Sequence, residues 1–186
     1  MFMFSSFSRH VLRTLPLLLF VLLMLGGRSA FAGAPALTSL EFPRTLKVES
    51  TLQSKVEEML AVSPTFREQC LRLDEAANLV VLLRVNPLLP RTLFLARSTL
   101  KRYTSGLVLV DVEVAAGAGQ AEWIAHEFEH VLETIEGNSL SRLAREQPSG
   151  VWRSADRMIE TSRATDAGRR VLSEMLPEGQ SDKSVE

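Results

Sequence analysis

The stretch from Gln120 to Glu136 constrains this chain most, because it has a helical period and two chemically opposed faces. At about 100° per residue, with His126 set at zero, Ala121, Ile124, Ala125, Phe128, Val131, Leu132 and Ile135 fall between about 140° and 260°. On the same scale His130 lies at about 40°, so two imidazoles leave one face a single turn apart. That spacing lets two ring nitrogens meet one tetrahedral zinc ion at about 2.0–2.1 Å. Glu127, at about 100°, stands beside the pair, where it can reach water on such a metal. Glu129, at about 300°, flanks the pair on the other side, and helix geometry alone does not choose between the two glutamates. The order His-Glu-x-x-His favours Glu127 as the base. Trp123, at about 60°, is either the wall of a substrate pocket or an aromatic packed under a loop.

The N-terminus reads as a targeting segment. Arg9, His10 and Arg13 precede an apolar run of 11 residues, Leu15 to Leu25, and then Gly26-Gly27-Arg28-Ser29-Ala30-Phe31-Ala32. A basic start, an apolar middle and an Ala-x-Ala end are the parts of a secretory signal peptide. The run falls short of the roughly 20 residues that span a bilayer. Residues 1–32 are therefore expected to be removed, leaving an exported, periplasmic or secreted protein with no stable membrane insertion. Removal takes three arginines and no acid, leaving 18 basic against 22 acidic side chains. It also takes His10, so both remaining histidines sit in the motif. The charge balance and the lack of a basic patch argue against nucleic acid as a partner. The single Cys70 excludes an intrachain disulfide and a cysteine-cluster metal site, and it is expected to be buried and inert.

Beyond a lead-in from Gly33 to about Lys47, the pattern predicts an α+β chain with a single domain over 33–177 and a flexible polar tail over 178–186. Ser50 or Thr51 is expected to cap a helix reaching Ala61, and Ser63-Pro64 to begin a second reaching Leu73. Leu79–Val85 reads as a buried strand. Phe94 to Tyr103 and Leu107 to Val114, around Thr104-Ser105-Gly106, read as a hairpin. These make a small, three-stranded, mostly antiparallel sheet. After the His-bearing helix come a short helix at Leu140–Arg145 and a long final helix from Arg153 to Leu176, with Ser154 as its cap and Pro177 as its stop. That last helix is expected to pack across the motif helix.

A catalytic zinc takes three protein ligands and keeps one position open. With no third histidine in the mature chain, the remaining ligand must be a carboxylate. The downstream choices are Glu133, Glu136, Glu146, Asp156, Glu160, Asp166 and Glu174. Glu133 and Glu136 share the histidines' helix and point too steeply along it to close a tetrahedron.

The segment Trp123 to Glu133 resembles the active-site helix of zinc metallopeptidases. Ile159-Glu160-Thr161-Ser162-Arg163-Ala164 resembles the glutamate-bearing helix of their gluzincin type. The pair is also similar to small exported bacterial proteins with an HExxH helix followed by an "ET…A…G" helix. The resemblance covers roughly Ser98 to Leu176 and is specific at the first motif. It implies a zincin-like fold, a Zn2+ cofactor, His126, His130 and Glu160 as ligands, and Glu127 as general base. It further implies a hairpin strand along the cleft that pairs with an extended peptide. Peptidases of this type present a His or Tyr to the oxyanion. Here Tyr103, Arg153, Arg157 and Arg163 are the candidates, and the residues alone select none. Asp156 is a candidate to hold the far nitrogen of a ligating histidine, or a solvated acid at a helix start.

The expectation is thus an exported zinc-dependent hydrolase, a metallopeptidase acting on peptide or protein through a zinc-bound water that Glu127 activates. The rival from another class is a zinc-binding or scaffold protein of the bacterial envelope that keeps the site without turnover.

Overall fold

The computed structural model describes residues 42–89, 95–146, 148–154 and 158–176. The signal segment 1–32, the tail 178–186, Asp156 and Arg157 lie outside the described residues. Within them the chain runs β1 (Leu46–Val48), α1 (Ser50–Val62), α2 (Pro64–Glu75), β2 (Leu79–Val85), β3 (Ala96–Arg102), β4 (Val108–Val114) and α3 (Gln120–Ile135). It continues through α4 (Leu140–Leu143), β5 (Val151–Arg153), β6 (Ile159–Thr161) and α5 (Ser162–Met175). The α+β class holds. No helix among the described residues is long and apolar enough to cross a membrane.

The sheet differs from the three-stranded, mostly antiparallel one expected. It has four strands in the order β1-β2-β4-β3. The pairings β1 with β2 and β2 with β4 are parallel, and only β3 with β4 is antiparallel. The extra strand, β1, comes from the end of the proline-containing lead-in, where Leu46 lies opposite Val81. The hairpin forms as Ala96–Arg102 against Val108–Val114, with Gly106 at φ 86° in its turn, while Phe94 lies outside the described residues. Its second strand, β4, inserts between β2 and β3 and so gains a parallel neighbour that local sequence does not announce.

Strand alternation sends Leu79, Val81 and Leu83 of β2 and Val108, Val110, Val112 and Val114 of β4 to one buried face. Against it lie Leu52, Val56 and Met59 of α1, Phe66 and Leu73 of α2, and Ile124, Phe128 and Leu132 of α3. The Phe66 and Phe128 rings stack at 5.5 Å. The other face carries cross-strand charge pairs. Arg84 meets Asp111 at 2.5 Å and Glu113 at 2.8 Å, and Arg97 meets Glu113 at 2.5 Å. This explains why β4 turns acidic at alternate positions.

Two helix starts depart from expectation. Glu49, not Ser50 or Thr51, precedes α1, and its carboxylate accepts from the Thr51 hydroxyl and the Val85 amide. The long final helix does not begin at Arg153. Val151–Arg153 instead pairs with Ile159–Thr161 as a two-stranded ladder, and the helix starts only at Ser162. Thr161 caps it, its hydroxyl accepting from the Ala164 amide at 2.9 Å. Cys70 is buried as expected, and burial pushes its thiol up to about 12.

Glu174 near the end of α5 fastens that helix to the start of α2. It accepts from the Ser63 hydroxyl, and from the Thr65 hydroxyl at 2.7 Å and amide at 3.2 Å. Burial raises its pKa, but those hydrogen bonds outweigh it and leave the carboxyl below its ordinary range. A carboxyl depressed in the folded state stabilises the fold above its unfolded pKa, and that contribution fades as pH falls through the folded value. Glu174→Gln is therefore expected to cost about 1 kcal/mol near pH 7. In urea titrations the difference from wild type should shrink as the pH is lowered through the carboxyl range.

Candidate metal centre

Helix α3 is buried along most of its length. Ala121 and every residue from Ile124 to Glu133 are buried, which includes His126, Glu127, Glu129, His130 and Glu133. An ionisable group out of water needs a partner, and each neighbouring element supplies one.

The histidine face meets β6. His126 Nε2 and His130 Nε2 stand 3.1 Å apart, and Glu160 Oε2 lies 3.1 Å from the first and 3.7 Å from the second. A tetrahedral zinc with bonds of about 2.0–2.1 Å spaces its donors by about 3.3 Å, so the three observed separations straddle that value. His126, His130 and Glu160 form a group that could hold a metal ion. The third carboxylate arrives from a strand, directly before the cap of α5, rather than from within a helix. Among the other downstream acids, Glu133 meets His130 at Nδ1 rather than Nε2, Glu136 pairs with Arg163, Glu146 and Asp166 are exposed, and Glu174 is tied to Ser63 and Thr65.

Helix α5 can bring β6 this close because Gly168 has no side chain. A Cβ there would lie 2.8 Å from the Glu122 carbonyl oxygen and 3.3 Å from the His126 Cβ. The glycine that sequence reading noted only as part of a pattern thus sets the spacing between the two ligand-bearing elements.

Glu127 is buried on the same side as the imidazoles. Burial pushes its carboxyl up, while His130 and a hydrogen bond to Ser98 pull it down, with the net shift upward. Ser98 sits on the inward face of β3 opposite Val112, a polar residue in an apolar row. That break in the alternation was a signal available in the sequence and not used.

Glu129 belongs to a different network. Its Oε1 accepts from Arg163 at 2.5 Å and lies 3.5 Å from Arg72, and its Oε2 accepts from Gln69 at 2.8 Å. Gln69 also donates to the Ala125 carbonyl at 2.9 Å. The glutamate that complicated the motif therefore faces α2 and α5, away from the histidines. This also removes Arg163 from the oxyanion candidates, since it pairs with Glu129 and Glu136. Tyr103 does not reach the site either. It is exposed beside the hairpin turn, with the Lys101 ammonium 5.0 Å from its ring. Asp156 and Arg157 are outside the described residues.

A cleft of about 880 Å3 opens over the three ligands. Its walls include Ala96, Ser98 and Leu100 of β3, Trp123 and Glu127 of α3, Trp152 and Arg153 of β5, and Arg169 of α5. Trp123 is thus the pocket wall of the two readings offered, its ring edge-on to His126 at 5.9 Å. Of the described oxyanion candidates, only Arg153 lines the cleft. Arg169 of α5 lines it too.

No protein family, curated protein or solved structure matches this chain.

In the metal-free chain a proton does part of a cation's task. Burial draws the His130 imidazolium down, but hydrogen bonds to Glu133 and Glu160 outweigh it and push the group up to about 9. The two imidazoles hold the Glu160 carboxyl down to about 2. A metal must displace the His130 proton, so its apparent affinity should rise by about tenfold per pH unit from pH 6.5 and level off at about pH 9. Competition titrations with a chromophoric chelator across that range check this. Gly168→Ala should push α5 off α3, cost roughly 1–3 kcal/mol in chemical denaturation, and weaken metal binding in the same preparation.

Proposed function

We propose that this chain is an exported zinc-dependent hydrolase of the gluzincin type that cleaves peptide bonds. The observation that carries the reading is the convergence of His126, His130 and Glu160 at 3.1–3.7 Å beside a buried glutamate, in an open cleft. Two imidazoles and one carboxylate are a donor set of catalytic rather than structural zinc sites, because a coordination position remains for water or substrate. Zinc held there supplies Lewis acidity, bringing the pKa of water towards about 7 and polarising a carbonyl.

The chain's own residues do the rest. Glu127, kept above its ordinary pKa by burial, is suited to take a proton from water on its carboxylate and pass it to the leaving amine. Ser98, hydrogen-bonded to that carboxylate, fixes where the proton is received. Arg153 and Arg169 line the same cleft and supply positive charge there.

Strand β3 supports an extended substrate. It is an outer strand of the sheet. The Tyr103 amide bonds the Leu107 carbonyl and the Ala115 amide bonds the Leu95 carbonyl, so the odd-numbered residues of β3 point their backbone groups at β4. Ala96, Ser98 and Leu100 then turn theirs to the free edge, and their side chains line the cleft. A peptide adding as a further strand would bond to those three residues.

A second reading, zinc binding without turnover, is favoured by one observation. Among the described residues lining the cleft there is no tyrosine and no third histidine to meet an oxyanion. Elemental analysis and peptide-library cleavage, with and without chelator, separate the two. Under the first reading Glu127→Gln keeps its zinc and loses roughly 10²–10⁴-fold in cleavage rate, while Glu160→Ala loses the metal. Wild-type protein that holds zinc and cleaves nothing supports the second. Glu127→Gln retaining full cleavage would refute the role given to that residue.

A further inference from the structure

Glu133 was set aside as a ligand on geometric grounds, yet it is one of the most buried carboxylates in the chain, 4% exposed. Its Oε2 lies 3.1 Å from His130 Nδ1, the ring nitrogen turned away from the other ligands, and accepts from the Thr161 hydroxyl, also at 3.1 Å. Thr161 is the residue after Glu160, and the same hydroxyl caps α5. One carboxylate oxygen therefore joins the second ligand, carried on α3, to the residue adjoining the third, carried on β6. Two consequences follow from that geometry. With Nδ1 donating to Glu133, Nε2 is the nitrogen left to bind a metal once its proton is lost, and it faces the other donors; this fixes both the tautomer of the metal-bound form and the ring plane. Holding Thr161 fixes the backbone from which Glu160 projects, at the point where strand becomes helix.

We propose that Glu133 is the positioning residue of this centre, setting how tightly and in what geometry His130 and Glu160 together hold a metal ion. The inference rests on the zinc reading above but not on catalysis. Glu133→Gln keeps an oxygen that can accept from both His130 and Thr161, whereas Glu133→Ala removes it. Thr161→Val deletes the hydroxyl that Thr161→Ser retains.

The experiment measures zinc affinity by chelator competition, the visible absorption of the Co2+-loaded protein, and the melting temperature of the metal-free protein. Glu133→Ala should weaken zinc roughly 10–100-fold and shift the Co2+ bands, because His130 is free to rotate. Glu133→Gln should restore most of the affinity and the wild-type spectrum. Thr161→Val should weaken zinc where Thr161→Ser does not, and the double variant Glu133→Ala/Thr161→Val should lose less than the product of the two single losses, since both break one linkage.

Zinc affinity within about twofold of wild type with unchanged Co2+ bands in Glu133→Ala overturns the proposal. So does Glu133→Gln behaving like Glu133→Ala, or losses that multiply in the double variant. If Glu133→Ala fails to fold, the Glu133→Gln spectrum and the two Thr161 variants decide by the same criteria. Wild-type protein that binds no zinc removes the metal reading and this proposal together. Wild-type binding with an indifferent Glu133 removes this proposal alone.

Discussion

Five ionisable side chains on a single buried helix are the constraint around which the rest is built. His126, Glu127, Glu129, His130 and Glu133 are all nearly inaccessible, and an unpaired charge in such a place costs several kcal/mol. The surrounding elements are arranged as partners. Helix α2 offers Gln69 and Arg72, β3 offers Ser98, β6 offers Glu160 and Thr161, and α5 offers Arg163. The two sides of the helix solve the problem differently. On the Glu129 side two guanidinium groups balance the carboxylates, and the network is closed. On the histidine side Glu127, Glu133 and Glu160 gather around two imidazoles, three acids against two bases. That excess is met by protons when the site stands alone, which is why His130 is held protonated well above its ordinary range. A divalent cation meets it better, since it takes the imidazoles as neutral donors and leaves the carboxylates charged.

What could be read from residues alone depended on how far apart the partners lie. The period of α3 and the alternation of the hairpin are local, so both elements appear at the expected places. The three residues of β1 have no pattern of their own. They become a strand because β2 offers parallel hydrogen bonds from more than thirty positions away, in the register Leu46 to Val81. The segment before α5 failed for a related reason. Its residues fit a helix well enough to be read as one, but Val151–Arg153 folds back on Ile159–Thr161 and withholds Glu160 from the helix. Thr161 was visible as a possible N-cap and would have placed the start correctly.

The site was more legible in its ligands than in its supports. The spacing of His126 and His130 announced itself, and Glu160 came from the resemblance alone. Glu133, at about 340° on the same helical wheel, falls inside the histidine stripe. Testing it only as a ligand obscured the part its second neighbour gives it. Glu129 was left open beside Glu127 for the opposite reason. Its wheel position beside the histidines is real, but the helix is buried all round, and the side chain turns to Arg72 and Arg163.

This arrangement makes metal binding and tertiary packing one event at α5. The ligand Glu160 and the cap Thr161 are consecutive, the glycine of closest approach stands two turns later, and Glu174 fastens the far end to α2. Each fixes the same helix on α3. If α5 lifts even slightly, Glu160 withdraws from the imidazoles, Thr161 leaves Glu133, and the buried Glu127 and Glu133 are left with fewer partners. A metal ion that draws Glu160 in therefore tightens the helix as a whole. By the same coupling, any change that loosens the helix appears as lost metal affinity before it appears as unfolding, since the donors must hold their spacing to within fractions of an ångström while the apolar core tolerates more.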